Sequence, residues 1–115
     1  MKTIDDDPLL QAIVVAADRS AIGLHLVVSI VRLVGRRLQE DAPEDLRAPV
    51  LAVLREALRR RVLVVGTVDG QDFEAWNVSP DEAIARIDAE WDALGREPRA
   101  GEIASFATID ALGYA

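Results

Sequence analysis

"VLVVGTVDGQDFEAWNVSPDE" (Val62–Glu82) decides the fold class. Asp69-Gly70 stands between two runs rich in Val, Thr, Phe and Trp. Glycine tolerates the positive φ of a primed two-residue turn, so the pattern predicts a β-hairpin with strands near 62–68 and 71–76. "SPDE" (Ser79–Glu82) then carries every part of a helix start: Ser79 as the cap, Pro80 at the first helical position, and Glu82 to close a capping box. Ile84, Ile87, Trp91 and Leu94 follow at helical spacing, and Gly95 ends the run. A hairpin feeding directly into a capped helix makes the chain α+β.

Upstream of the hairpin the periodicity is helical. Asp7-Pro8 is a capped start, and Leu9, Ile13 and Ala16, with Leu10, Val14 and Ala17 beside them, make an apolar stripe to about Asp18. After "DRS" an almost wholly apolar helix is expected from about Ile22 to Leu38, with Gly35 ending or fraying its buried part. A polar connection with two prolines follows. A third helix runs through "VLAVLREALRRR", starting near Pro49 after a short turn at Pro43 to Leu46, with Leu51, Leu54 and Leu58 on one face. "GEIASFATI" (Gly101–Ile109) reads as a short third strand or an extended segment returning to the sheet. The expectation is one domain over residues 1–115, mainly helical: three N-terminal helices, a β-hairpin or three-stranded sheet, and a fourth helix. That order is winged-helix-like, with one helix added.

The bulk composition agrees. A chain of 115 residues, half of them apolar, can bury one real core and is too short for two domains. Aromatics are scarce, so Leu, Val, Ile and Ala must build that core. Twenty acids against thirteen bases give a net charge of −7, which on average repels phosphates and suits a basic partner or plain solubility. There is no cysteine, so disulfides, thiol nucleophiles and thiolate metal sites are excluded. "MKTIDDDPLL" is acidic where a signal peptide is basic, and "AIGLHLVVSIVRLVG" falls short of the roughly 20 residues that span a bilayer. A cytoplasmic protein without membrane contact is expected.

The candidate sites each carry a plain structural reading beside the functional one. Asp69, Asp72 and Glu74 suggest a calcium loop, but alternate oxygen ligands and a Glu twelve residues along are missing. Turn formation and a wet hairpin face explain them more simply. His25, the only histidine, lies amid Leu24, Leu26 and Val27 and reads as a packed core or helix-end residue. Ser20, Ser29, Ser79 and Ser105 have no nucleophile context, and the glycines are too dispersed for a phosphate loop. No catalytic residue, metal site or cofactor is predicted. Arg55, Arg59, Arg60 and Arg61 are the DNA-binding candidates, since a winged helix would carry them into the major groove. Equally, they complement the dipole at a helix C-terminus or pair with acids of the fourth helix. Residues 79–98 hold six acids against Arg86 and Arg96. Asp81, Asp88 and Asp92 fall close to one helix face, which reads as a solvated face or as a docking surface for a basic protein.

From "VLVVGTVDGQDFEAW" through "LGREPRAGEIASF" the chain resembles a group of small proteins common in high-GC Gram-positive bacteria. Their pattern is a hairpin ending in Trp, a capped helix with a second Trp, then Leu-Gly, Pro and Gly-Glu-Ile before an aromatic pair. Here those are Trp76, Ile87, Trp91, Leu94-Gly95, Pro98 and Gly101-Glu102-Ile103, with Ser105-Phe106 where the pattern has Trp-Phe. The resemblance covers the C-terminal half. Some of these proteins look like immunity partners of secreted polymorphic toxins, which implies a binding role.

The leading expectation is therefore a non-enzymatic, immunity-like binding module that neutralises a basic toxin through Asp72, Glu74, Asp81, Asp88 and Asp92. The runner-up is a winged helix-turn-helix DNA-binding regulator using the four arginines. A small-ligand binder or enzyme, with its pocket between the hairpin and the fourth helix, stands third. A homodimer is compatible with all three. Trp76 and Trp91 are expected to pack the hairpin onto the fourth helix.

Overall fold

The structure, a computed structural model, describes residues 8–38, 46–69 and 72–108. Its elements in chain order are α1 (Pro8–Arg19), β1 (Ile22–Gly23), α2 (Leu24–Leu38), α3 (Arg47–Arg59), β2 (Val64–Asp69), β3 (Asp72–Ala75), α4 (Pro80–Leu94) and β4 (Ser105–Ala107). The fold is α+β, and its sheet is four-stranded and antiparallel in the order β1-β4-β2-β3. Asp7 and the Pro43–Asp45 part of the expected turn lie outside the described residues.

α1 begins at Pro8, where a missing N–H costs nothing, and buries Leu10, Ile13 and Ala17. The expected start of the second helix at Ile22 is two residues early. Ile22 and Gly23 pair with Phe106 and Ser105 of β4, and the helix starts at Leu24. Leu24 N–H also donates to the Ala104 carbonyl at 3.0 Å, so sheet and helix meet at one peptide. Gly23 has a reason to lack a side chain. A Cβ there would stand 2.6 Å from His25 Nδ1, because the imidazole folds back over it. α3 starts at Arg47 and carries Pro49 within its first turn, where proline is tolerated.

The hairpin pairs Gly66 with Ala75, Thr67 with Glu74, Val68 with Phe73 and Asp69 with Asp72. Gly66 is again a close approach. A Cβ there would meet the Glu74 carbonyl and lie 2.7 Å from Phe73 Cζ, so the aromatic ring covers the bare backbone of the neighbouring strand. The third strand predicted at the C-terminal end is β4, which adds to the β2 side of the hairpin and is covered on its other side by β1. It lies between β1 and β2, with Val64, Val65 and Gly66 opposite Ala107, Phe106 and Ser105. Phe106 is fully buried there.

One core joins all layers: Leu10 and Ile13 of α1, Val27 and Val28 of α2, Val50 and Leu54 of α3, Ile87 and Trp91 of α4, and Phe106 of β4. α4 is closed at both ends as the sequence predicts. Ser79 Oγ accepts from the Glu82 N–H, the Glu82 carboxylate accepts from the Ser79 N–H, and Gly95 adopts φ 67°. No helix among the described residues is long and apolar enough to cross a membrane.

Candidate functional site

The carboxylates singled out in the sequence fall into two groups with different surroundings. Asp81, Asp88 and Asp92 lie along α4, and α4 packs beside α3. Across that seam Arg59 reaches Asp81 at 3.1 Å and Arg55 reaches the same carboxylate at 3.6 Å. Arg47 lies 3.5 Å from Asp88 and 3.4 Å from Asp92. The acids are exposed to solvent, yet each already faces a guanidinium of its own chain.

The same pairs dispose of most of the basic group. Arg55 and Arg59 point to α4, and Arg60 pairs with Glu56 one turn back. Arg61 is the exception: no acid or carbonyl among the described residues pairs with its side chain. A sequence reading finds the arginines of α3 and the acids of α4, but not their registry across two helices. Arg47 was missed altogether, since it stands alone before Pro49.

The second group is on the hairpin. Cross-strand partners share a sheet face, so Thr67, Asp69, Asp72 and Glu74 lie on one side, with Val65 and Trp76 at its root. Asp69, Asp72 and Glu74 are exposed, and no cation among the described residues pairs with them. Asp69 and Asp72 stand directly opposite each other, and like charges in that relation destabilise a strand pair by some tenths of a kcal/mol. Turn chemistry accounts for Asp69 before Gly70. It does not account for Asp72 or Glu74. Asp69 belongs with the site although its turn role hid it.

Trp76 roots this acidic face. Its indole N–H donates to Thr67 Oγ1 at 2.9 Å, and the Arg86 guanidinium lies 3.8 Å from the ring centroid. Arg86 is held in turn by Glu90 at 3.0 Å. Trp91 is the core residue expected of it, 6% exposed, whereas Trp76 is only half-buried and packs against the core from outside. The pair therefore divides the work: one ring fills the core and the other closes the seam between hairpin and α4.

The segment after α4 is anchored by Glu102. Glu102 receives both Nη atoms of Arg96 at 2.8 Å and the Arg99 N–H at 2.6 Å. These donors hold its carboxyl down at about 2, with the Arg96 hydrogen bonds the largest cause and the Arg99 N–H the next. Ala104 N–H then closes on the Glu102 carbonyl at 2.8 Å around Ile103, whose φ is +67°. This is the strained three-residue turn that aims the chain into β4. The Gly-Glu-Ile run thus has a structural task.

His25 sits in the first turn of α2, partly buried, with Nδ1 unpartnered. No group of three His, Asp or Glu residues among those described could hold a metal ion. Comparison of the chain with family models, curated proteins and solved structures gave no match.

Proposed function

We propose that this chain is a non-enzymatic protein-binding module that docks a basic partner through the acidic face of its β2–β3 hairpin, as an immunity protein covers the working surface of a basic toxin. The observation that carries this reading is the contrast between the two acid groups. Asp81, Asp88 and Asp92 are matched by arginines of the same chain, while Asp69, Asp72 and Glu74 have no such cation among the described residues. Unmatched carboxylates on an exposed finger raise the encounter rate with a basic surface and fix its orientation. Trp76 at the root of the same face is the type of residue that anchors an interface. The net charge of −7 and the resemblance of the C-terminal half to immunity-like proteins point the same way.

The DNA-binding regulator is the second reading, and one observation supports it: three helices precede the β2–β3 hairpin along the chain, although β1 pairs with β4 and not with that hairpin. It ranks lower because Arg55 and Arg59 face the Asp81 carboxylate of α4 and Arg60 pairs with Glu56, which leaves Arg61 alone of the four without an acid among the described residues.

The test is association with the product of the adjacent reading frame. The proposal expects nanomolar binding whose on-rate falls with salt and falls again, by about tenfold or more, in Asp69→Asn/Asp72→Asn/Glu74→Gln. An on-rate indifferent to those three changes, or no association, rejects the hairpin as the docking face.

A further inference from the structure

A groove of about 280 Å³ opens where the end of α3, strand β2 and the start of α4 meet, under Trp76. Its lining is apolar, from Leu58, Leu63, Val65, Trp76 and Val78, with one cation, Arg61. It shares Trp76 with the docking face proposed above, but none of Asp69, Asp72 and Glu74 lines it.

Arg61 occupies a position that the backbone would give to glycine. Its N–H donates to the Leu58 carbonyl at 3.2 Å, and the next N–H, of Val62, reaches back five residues to Ala57 at 3.1 Å. This is a Schellman closure of α3, whose residue after the cap adopts the left-handed region, and Arg61 has φ 60°. At the corresponding bend after α4 the same chain uses Gly95 with φ 67°. A side chain at such a position strains the backbone. Complementing the dipole of α3 does not require it, because Arg59 and Arg60 already stand at that end. Nor does pairing, because Arg61, unlike Arg55, Arg59 and Arg60, meets no acid among the described residues. What remains beside it is the groove.

We propose that this groove binds a small amphiphilic carboxylate, with its apolar body against Trp76, Leu63 and Val78 and its charged end on Arg61. A single guanidinium matches one carboxylate, and planar, two-pronged recognition of that group is what arginine does best. The apolar walls favour a hydrocarbon or aryl body over a free phosphate or a sugar. The volume lies just under the roughly 300–1,000 Å³ of clefts for drug-sized ligands, so the ligand is a small one.

The test uses sodium octanoate, with octanol as the same chain lacking the charge, in solution NMR of the full chain. The Trp76 indole N–H, hydrogen-bonded to Thr67, is the reporter, and the buried Trp91 indole is the internal control. Octanoate is expected to shift Trp76 and not Trp91 with a sub-millimolar Kd, and octanol to bind at least about tenfold more weakly. Arg61→Gly is expected to fold at least as well as the parent, since glycine adopts this backbone without strain, and to reduce octanoate binding to the octanol level. Arg61→Gln is expected to do the same. Equal binding of octanoate and octanol, full octanoate binding by Arg61→Gly, or an unmoved Trp76 resonance overturns the proposal.

Discussion

Arg59 Nη2 lies 3.1 Å from Asp81 Oδ1, which ties the last turn of α3 to the first turn of α4. Arg55 shares that carboxylate. With Arg55 and Arg59 matched by the neighbouring helix, this end of α3 is poorly placed to attract phosphate.

Asp81→Asn should expose the difference. Pairs between exposed side chains contribute less than about 1 kcal/mol, so the variant should melt within a few degrees of the parent. Freed of their partner, Arg55 and Arg59 should hold the variant longer on a heparin column at low salt. Unchanged retention would mean that the two arginines were not matched by Asp81 in solution.

The two tryptophans should separate cleanly in denaturant titrations. Trp91→Ala removes a buried ring and should cost about 3–5 kcal/mol. Trp76→Ala should cost clearly less, because the ring is half-buried and stacks under Arg86 from outside the core. Equal losses would put Trp76 in the core as well.

Glu102 sets a pH dependence of known sign. Its carboxyl titrates near 2 in the folded chain against 4.5 for the ordinary group. A depressed folded value stabilises above the unfolded value and loses that contribution as pH falls. The stability difference between the parent and Glu102→Gln should therefore be constant above about pH 5 and shrink between about 4.5 and 2. A difference independent of pH over that window would show that the Arg96 and Arg99 contacts do not hold the carboxylate.

Gly66→Ala should loosen the hairpin. The added methyl meets the Glu74 carbonyl, a backbone atom with little freedom to move, and the Phe73 ring. A loss on the order of 1–3 kcal/mol is expected, with faster amide exchange across residues 66–75. Wild-type exchange rates there would contradict the register of β2 and β3.

Much of this fold was readable locally, because its signals are local. The hairpin and the box closed by Ser79 and Glu82 each need only a few adjacent residues, although Asp69, expected in the turn, is the last residue of β2 and pairs with Asp72. β1 was not readable, since two residues have no periodicity, and its partner Phe106 lies more than eighty residues away. For the same reason β4 was foreseen as a strand but not as a central one. In the site, residue types were legible and their matching was not. Nothing in "REALRRR" distinguishes Arg59, which meets Asp81, from Arg61, which meets no acid among the described residues. One signal could have marked Arg61: α3 ends without a glycine, so some other residue must take the left-handed bend.

We propose that the acids available to a partner are those of the hairpin and not those of α4. An amide NMR titration of the full chain with deca-lysine at low ionic strength reads this directly. Shifts are expected to concentrate in residues 67–76 and to weaken as the Debye length shrinks toward about 8 Å at physiological salt. Shifts concentrated instead at Asp81, Asp88 and Asp92, with residues 67–76 unmoved, would contradict it.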